Sequence, residues 1–367
     1  MTDARLQISR LHSGKRRTPL LLLLNVILWP ISLLYRSGVA LRNFGYSHGL
    51  LKSHRLSCPV ISVGNLTTGG TGKTPVTILI AERLQRKLAT AILSRGYRSE
   101  NERHSVTMKG DQIANSDVAT VGDEIALMAS QLPQVWFGVG ADRVATASEL
   151  QSRQRIQAVI LDDGFQHRRI ARDCDIVLID ASNPFGNGMS LPAGPMRDRI
   201  TALRRSHVVI ITRCESVDNS AVEELTARIS RYIDASRIFR AETVLKSIRT
   251  IDGAAELTIA DRRVWLFSGI GNPGAFDNAL AATGARICGH SVFPDHHRYT
   301  EGEIETLNRI LSENQAEFIL TTAKDAVKLT AYNLDKSRCG VVEIGIDFVD
   351  RADIFWGIIA RSVGAEI

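Results

Sequence analysis

Cysteine is scarce in this sequence of 367 residues, and its placement argues against several kinds of site. The five cysteines are scattered along the chain, at Cys58, Cys174, Cys214, Cys288 and Cys339, and no C-x-x-C pair occurs. Zinc sites and thiol redox centres usually bring cysteines together at short spacings. The odd, dispersed set is typical of a protein from a reducing compartment and favours the cytosol.

Acidic residues are almost missing from the first 55 positions. That segment has nine lysines and arginines against one acid, Asp3, whereas the whole chain has a net charge of +6. The remaining body is therefore slightly acidic, which argues against a broad nucleic-acid surface and against a nucleic-acid partner. The basic leader instead predicts a local anionic partner.

Internal repeats and low-complexity segments are also lacking. The composition, 44% hydrophobic and 23% charged, is that of a globular protein, and the length favours two domains over one. We expect an N-terminal segment over residues 1–55, a first α/β domain over 56–240, a two-stranded linker over 241–262 and a second α/β domain over 263–367.

The leader contains one long apolar run, PLLLLLNVILWPISLLY, at residues 19–35. As a helix, this run would rise about 26 Å, which is short of the ~30 Å hydrocarbon core, and Pro30 would kink it. Flanking basic residues, with Trp29 and Tyr35 as interfacial anchors, predict a helix that lies in or dips into an anionic membrane surface. A marginal span and a helix buried against the body are alternatives. A secretory signal peptide is disfavoured because no clean cleavage site follows.

From residue 57 onward, short apolar runs alternate with stretches of helical periodicity. This alternation is typical of a layered α/β domain with a parallel sheet. The candidate strands are at 59–63, 90–93, 135–139, 158–161, 175–179, 208–211 and 237–240. The candidate helices are at 74–87, 123–131, 143–153 and 221–232, and a second α/β series with helices at 274–282 and 301–312 follows the linker.

A glycine-rich turn, in the stretch SVGNLTTGGTGKTPV, lies between a buried strand and a helix. This is the context that a phosphate-binding P-loop needs, with backbone N–H groups and the helix dipole facing the anion. Lys73 would neutralise the β- and γ-phosphates, and the Thr74 hydroxyl would bind Mg²⁺. The first glycine of the usual motif is missing, because position 67 is threonine, but the anion-binding core is intact. The predicted nucleotide-binding residues are Thr67, Thr68, Gly69, Gly70, Thr71, Gly72, Lys73 and Thr74.

The stretch AVILDDGFQHRR predicts an apolar strand that ends in Asp162 and Asp163. In P-loop proteins a carboxylate at such a strand end holds the metal opposite the P-loop threonine. A strand that ends in aspartate is common in α/β proteins, but a second adjacent acid followed by Gln166 and His167 is less common. Two neighbouring acids repel each other unless a cation neutralises them.

Two further motifs combine acids and histidines. In VGDEIALMA, Asp123 and Glu124 open an amphipathic helix, where acids also simply complement the helix dipole. In FPDHHRY, Asp295, His296 and His297 could orient another base or hold a metal. Adjacent histidines do not face one site, so at most one is expected to act there, and a polar loop is the alternative for both.

Several arginines stand in glycine or turn contexts, where they can clamp phosphates in a bidentate manner. They are Arg95 and Arg98 in SRGYR, Arg143 in GADR, and Arg197 and Arg199 in LPAGPMRDR. Each of them, taken singly, is more often a surface charge.

Together these stretches resemble one family, that of the tetraacyldisaccharide 4′-kinases. GNLTTGGTGKTPV, SRGYR, GDE, DDGFQHRR, LPAGPMR, FPDHHRY and TTAKDAVKL occur in that family's order, and the resemblance covers nearly the whole chain. It implies transfer of the ATP γ-phosphate to the 4′-hydroxyl of tetraacyldisaccharide 1-phosphate, in lipid A biosynthesis at the cytoplasmic face of the inner membrane. The implied fold is a P-loop NTPase-like layered α/β/α domain, a second, smaller α/β domain and an N-terminal membrane-associated helix.

The resemblance also implies roles at the matching positions. Asp123 would be the general base for the sugar hydroxyl, His296 would pair with it when the two domains close, and Lys73 would complete the catalytic set. The implied cofactors are ATP and Mg²⁺, with the metal held by Thr74, Asp163, Asp162 and Glu124. The implied substrate or phosphate contacts are Arg143, Arg197, Arg95, Gln166 and His167. The implied partners are the lipid A disaccharide precursor and the anionic inner-membrane surface, and no obligate protein partner is evident.

Three positions, Ile125, Asp198 and Ala323, depart from the family pattern, either conservatively or outside the implied chemistry. Two other classes compete with the kinase. A partitioning-type ATPase would carry a signature lysine immediately before the two glycines, where this chain has Thr68. A membrane-associated scaffold that binds nucleotide without catalysis would not need Asp123 and His296.

Overall fold

The computed structural model describes residues 12, 19–96, 105–114, 118–271, 273–313, 316–329 and 332–367. Its strands are β1 (Val60–Asn65), β2 (Thr90–Ser94), β3 (Val106–Lys109), β4 (Trp136–Val139), β5 (Ala158–Asp162), β6 (Cys174–Asp180), β7 (Val208–Thr212), β8 (Ile238–Thr250), β9 (Arg263–Ser268), β10 (Arg286–Val292), β11 (Phe318–Thr322) and β12 (Cys339–Phe348). Its α-helices are α1 (Pro19–Ser47), α2 (Lys73–Leu84), α3 (Gly110–Ala114), α4 (Val118–Val121), α5 (Asp123–Gln131), α6 (Arg143–Arg153), α7 (Asn219–Ile229), α8 (Pro273–Ala281), α9 (Glu301–Glu313), α10 (Ala323–Ala326) and α11 (Ala352–Val363). Arg98 and residues 15–17 lie outside the described part of the chain.

The described strands form one sheet in the order β10-β9-β11-β12-β8-β7-β6-β1-β5-β2-β4-β3. Strands β7, β6, β1, β5, β2 and β4 run parallel to one another, and the edge strand β3 is antiparallel to β4. Strands β1, β5 and β6 are rich in valine and isoleucine and are buried along their whole length. Burial on both faces is what a parallel sheet covered by two helical layers requires.

Alternate residues of each central strand supply the two hydrophobic layers. Ile61 and Val63 of β1 face a core that also contains α2 and α5, whereas Val60 faces the opposite layer, which α6 covers. The two-residue period of a strand therefore divides the apolar side chains between the faces. The expected layered α/β class is confirmed.

Strand β8 joins the two parts of the sheet. Its first residues pair in parallel with β7, at Val209 with Ile238, and its later residues pair antiparallel with β12 from Ala241 onward. The domain boundary expected at 240/241 therefore lies inside this strand. We refer below to strands β1–β7 with their helices as the first half and to β9–β12 with theirs as the second half.

Helix α1 runs from Pro19 through Pro30 to Ser47, well beyond the predicted end at residue 35. Its described apolar side chains face outward, and the most exposed are Val26, Ile27, Trp29, Leu34 and Leu41. Among the described residues, no helix combines the length and apolarity that crossing a membrane requires.

Polar contacts hold α1 against the first half. Ser32 accepts a hydrogen bond from the backbone of Ala193 at 3.0 Å, and Asn43 donates one to Asp198 at 2.9 Å. The Arg168 guanidinium also donates to the Asn43 carbonyl at 2.9 Å. The helix is thus fixed by its polar side while its apolar side stays open.

The C-terminal helix α11 returns to the core of the first half. It buries Phe355, Ile359 and Val363 there, and the ring of Phe355 meets Phe239 of β8 edge-on with centroids 5.6 Å apart. The sequence analysis predicted neither this helix nor β3. The spacing of the three buried residues, four apart on one helix face, is the signal that was overlooked.

We expect Phe355→Ala to lower the free energy of unfolding by about 3–5 kcal/mol, because it leaves a cavity among fully buried rings. Chemical denaturation of the purified variant measures this loss. The matched control is Ile354→Ala on the same helix, whose residue is 43% exposed. Equal losses for the two variants would show that α11 does not stabilise the first half through its buried face.

Candidate active site

Three parallel strands bring the predicted nucleotide-binding elements to one edge of the sheet. Val63 of β1 is in register with Asp162 of β5, and Leu93 of β2 with Leu161. The P-loop follows β1, the acid pair ends β5, and Arg95 follows β2. Ligands of open α/β sheets bind outside the carboxyl ends of such strands.

The P-loop is a turn between β1 and α2, and two side-chain hydrogen bonds at Thr71 fix its conformation. The Asn65 side chain donates to the Thr71 hydroxyl at 3.0 Å, and the Thr212 hydroxyl donates to the Thr71 carbonyl at 3.0 Å. Gly69 and Gly72 have φ angles of 113° and 85°, a region that L side chains rarely adopt. A Cβ at Gly69 would meet nothing within 4 Å, so the loop is open on that side.

Thr67, which replaces the usual first glycine, is buried and forms a β-bridge with Met196. The neighbouring backbone continues the contact, because Thr68 N–H donates to Pro195 and Arg197 N–H donates to Leu66, each at 2.7 Å. A β-branched residue suits this extended pairing. The bridge thus ties the P-loop to the segment that carries Arg197.

Asp162 is buried at the end of β5 and accepts a hydrogen bond from Ser94 at 3.1 Å. Burial raises the pKa of this carboxyl, and the neighbouring charge of Asp163 raises it further. A cation at this position would relieve both effects.

Asp163 has a left-handed backbone, with φ 47°, and its carboxylate holds two cations. Arg197 Nη1 lies 2.8 Å from each carboxylate oxygen, and Lys73 Nζ lies 3.8 Å from Oδ1. Burial would raise the pKa of Asp163, but Lys73 and Arg197 outweigh it, and the pKa lies below its usual value. The two basic residues predicted to contact phosphate therefore converge on one anion.

Arg143 lies beneath this cluster and is almost completely buried. Its guanidinium donates to the Asp163 carbonyl at 3.2 Å. Burial lowers its pKa, and the charges of Asp162 and Asp163 oppose that shift. The nearby Arg95 adds to the positive potential at Arg143, which makes this edge of the sheet suited to anions.

Asp123 and His296 meet across the two halves of the molecule. His296 Nδ1 lies 2.8 Å from Asp123 Oδ2, and both groups are largely shielded from solvent. His296 has a left-handed backbone, with φ 64°, and its N–H donates to the Gly269 carbonyl at 3.2 Å. Burial alone would raise the pKa of Asp123, but the His296 hydrogen bond and the charge of Lys324 outweigh it, so the pKa is lowered.

Lys324, at the start of α10, is the residue that the sequence analysis missed. Its Nζ lies 2.9 Å from Asp295, 3.4 Å from His296 Nε2 and 3.9 Å from Asp123. The Asp123 carboxylate accepts a hydrogen bond from Nδ1, so in the neutral ring Nε2 is left as the acceptor facing the ammonium group, which can only donate. Its signal in the sequence, the stretch TTAKD, was quoted for the resemblance without a role.

His297 lies outside this arrangement. Its Nε2 contacts Glu303 at 3.0 Å, and its ring stacks on Phe293. The buried Asp325 supports the turn that carries both histidines, because it accepts hydrogen bonds from the Gly269 backbone N–H and from Lys328 Nζ. One histidine of the pair thus enters the site and the other supports the turn.

Three further predicted residues lie near the P-loop and the acid pair, each in a different environment: Glu124, Gln166 and His167. The Glu124 side chain is exposed, but the protein around it partly excludes water. This desolvation and the charge of Asp162 raise its pKa, and the charges of Lys324 and Lys73 oppose that shift. Gln166 donates to the Asn65 carbonyl at 2.8 Å and so supports the base of the P-loop. Burial and the charge of Arg143 lower the pKa of His167 to about 4.

The predicted metal residues present oxygen donors, which Mg²⁺ prefers. Thr74 is the second residue of α2, and the buried Asp162 has a hydrogen bond from Ser94 alone among the described residues. Within the described ranges no three His, Cys, Asp or Glu side chains form a metal cluster. A nucleotide-bound Mg²⁺ does not need one, because it takes most ligands from water and phosphates. The residues therefore fit this metal.

The charges of Lys73 and Lys324 both act on Glu124, so the P-loop and the pair of Asp123 and His296 are near enough to act on one carboxylate. A phosphate loop beside a buried carboxylate, with an aspartate held by a histidine, is the arrangement of a P-loop phosphotransferase.

Comparison with known proteins gives the family. The model of the family described as "Tetraacyldisaccharide-1-P 4'-kinase" matches residues 24–362. A tetraacyldisaccharide 4′-kinase of Anaeromyxobacter sp. (strain Fw109-5) is 38% identical over 337 residues, which is 89% of this chain and 90% of that protein. That of Syntrophus aciditrophicus (strain SB) is 40% identical over 336 residues, 86% of each. The chain belongs to the tetraacyldisaccharide-1-P 4′-kinase family, and the resemblance drawn from the sequence is confirmed.

The fold agrees with this assignment. The crystal structure described as the "apo" form of LpxK from Aquifex aeolicus in complex with ATP matches with a TM-score of 0.75 at 28% sequence identity. The match covers 93% of this chain and 99% of that one.

We expect the neutral His296 ring to carry its proton on Nδ1, because the Asp123 carboxylate accepts there and Lys324 lies at Nε2. Nitrogen NMR of the histidine-labelled protein distinguishes the two tautomers. In Asp123→Leu the preference for the Nδ1–H tautomer should weaken, because the acceptor at Nδ1 is gone, whereas Asp353→Leu, at an exposed aspartate, should leave it unchanged. An Nε2–H tautomer in the unmodified protein would contradict this geometry.

Proposed function

We propose that this protein is an ATP-dependent lipid kinase that phosphorylates the 4′-hydroxyl of tetraacyldisaccharide 1-phosphate in lipid A biosynthesis. The observation that carries the proposal is the hydrogen bond between Asp123 and His296 beside a P-loop, in a chain of this family. Phosphoryl transfer asks a protein mainly to position the reactants and to stabilise negative charge. The cations of the site, Lys73, Arg143 and Arg197, are suited to both tasks.

Nucleotide phosphates would bind at the P-loop backbone and at the N-terminus of α2. In the structure, Lys73 and Arg197 contact the carboxylate of Asp163. The γ-phosphate would compete for these cations, so the acid holds them in place until the nucleotide arrives. Bound Mg²⁺, held by Thr74 and Asp162, would supply positive charge to the phosphates.

Asp123 would accept the proton of the sugar hydroxyl, which is a weak nucleophile at neutral pH. As the hydroxyl oxygen bonds to the γ-phosphorus, the bond from phosphorus to the β,γ-bridging oxygen breaks and ADP leaves. The lowered pKa of Asp123 keeps the carboxylate ionised before the reaction. His296 orients it through Oδ2, which leaves Oδ1 for the substrate.

A tetraacylated acceptor cannot leave the bilayer readily, so the enzyme must reach the membrane surface. The exposed apolar side of α1 is suited to an interfacial helix, and the basic leader is suited to anionic lipids. We therefore place the protein at the cytoplasmic face of the inner membrane.

We expect Asp123→Asn to lower phosphate transfer from labelled ATP to the lipid by roughly 10²–10⁴-fold, because the general base is lost. ATP binding, followed by calorimetry, should stay within about twofold, since the P-loop is untouched. The control is Asp353→Asn, an exposed aspartate that also stands at the start of a helix. Wild-type transfer rates in Asp123→Asn would remove its role as base.

We expect Leu34→Glu to weaken co-sedimentation with anionic vesicles without changing ATP affinity, because a charge on the apolar side of α1 opposes insertion. Val349→Glu is the matched control, since this apolar residue is also exposed, at 48%, and lies far along the chain from α1. Equal vesicle binding by both variants would rule out α1 as the membrane contact.

A further inference from the structure

A buried ion pair lies beneath the turn that carries His296 and His297. Asp325 of α10 is fully buried, and Lys328 Nζ lies 2.8 Å from its Oδ1. The Lys328 side chain is itself only 10% exposed. Taking two charges out of water is costly, and their mutual attraction often does no more than repay that cost. Stability alone therefore does not explain the pair.

The carboxylate of Asp325 reaches His296 through the backbone of Gly269. Its Oδ2 accepts a hydrogen bond from the Gly269 N–H at 2.9 Å, and the Gly269 carbonyl accepts one from the His296 N–H at 3.2 Å. A Cβ at position 269 would lie 3.0 Å from Asp325 Oδ1 and 3.2 Å from both His297 Cβ and the Pro294 carbonyl oxygen. A side chain there would push against the acid and the turn at once, so the close contact requires glycine.

Lys328 holds the other end of the histidine pair. Its Nζ donates to the His297 carbonyl at 3.2 Å as well as to Asp325. The centroid of the Tyr299 ring lies 5.7 Å from Nζ, so an aromatic face also contacts the ammonium group. The ion pair therefore fixes the two histidines from both sides, at the N–H of His296 and at the carbonyl of His297.

His296 requires such support because its backbone is left-handed. Its φ of 64° lies in a region that residues with a Cβ enter at a cost and keep only where the surrounding structure holds them. Loss of this conformation would turn the imidazole away from Asp123, whose Oδ2 lies 2.8 Å from Nδ1. The conformation of the turn thus decides whether the hydrogen bond to Asp123 forms.

We propose that Asp325 and Lys328 are positioning residues for phosphate transfer, which hold His296 in the orientation that it needs to meet Asp123. Both act through the backbone of the histidine turn and not on the reactants. The effect on turnover rests on the proposed function, whereas the effect on His296 itself is measurable without any substrate.

The test uses the full chain with Asp325→Leu and Lys328→Met combined, because apolar replacement of a buried ion pair is often tolerated and leaves neither charge unpaired. The first control is Arg262→Met with Glu317→Gln, which removes an exposed ion pair from the same half. The second control is Leu280→Ala, which leaves a cavity beneath α8 and so lowers stability without touching the histidine turn.

The first arm follows His296 by nitrogen NMR of the histidine-labelled protein without substrate. In the wild type and in both controls, Nδ1 should show the signal of a protonated nitrogen that is hydrogen-bonded to Asp123. In the Leu and Met variant this signal should move toward that of a free histidine, because the ring no longer meets the carboxylate. An unchanged His296 signal would overturn the proposal, whatever the activity of the variant.

The second arm measures phosphate transfer to the lipid and, by calorimetry, ATP affinity. We expect kcat of the Leu and Met variant to fall by about tenfold to a hundredfold, since a small misplacement of a reacting group costs rate. ATP affinity should stay within about twofold, because the P-loop is untouched. An equal loss of kcat in Leu280→Ala would assign the effect to general destabilisation and would also overturn the proposal.

The arms separate this proposal from the proposed function. If the wild-type protein transfers no phosphate, the kinase assignment fails, and the NMR arm alone decides on the role of the ion pair. If the Leu and Met variant does not fold, Asp325→Asn with Lys328→Met serves, because it keeps an acceptor for Gly269 and loses the contact with the His297 carbonyl. Wild-type values from that variant in both arms would equally refute the proposal.

Discussion

The hydrogen bond between Asp123 and His296 is the contact on which the account depends. Asp123 begins a helix of the first half, and His296 stands on a turn of the second half, so neither half contains the pair alone. Strand β8 and helix α11 both join the second half to the first, since β8 pairs with β7 and β12 and α11 packs in the core of the first half. Lys324 lies on the other side of the ring, 3.4 Å from Nε2, and its charge also acts on Asp123. The pair of Asp123 and His296 therefore depends on the sheet being continuous across the two halves.

Around the P-loop, the positions of the acids and cations follow from how their charges are paired. Asp162 and Asp163 are adjacent acids whose environments shift their pKa values in opposite directions. Asp163 is paired with Lys73 and Arg197, whereas Asp162 is buried with a single hydroxyl donor, which is the state that a divalent cation would neutralise. One acid therefore holds the two cations that we propose bind phosphate, and the other is available to the metal that we propose.

The sequence predicted the local elements of the site well and the contacts between distant elements poorly. The P-loop and the acid pair were readable because a glycine-rich turn and a strand end are local patterns. The pairing of Asp123 with His296 came only from the resemblance, since no spacing rule connects residues so far apart. Lys324 was missed because its four-residue helix has no periodicity to detect, and the bridge of Thr67 to Met196 because it is a tertiary contact.

The most direct test of the central claim is a double-mutant cycle on phosphate transfer to the lipid, with Asp123→Asn, His296→Asn and the combined variant. If the two residues act as one unit, the combined variant should be about as slow as the slower single variant, because the second change removes nothing further. Losses that multiply, so that the free-energy penalties of the two single variants add in the combined variant, would mean that the residues act independently. That result would contradict the account in which one hydrogen bond between the halves completes the active site.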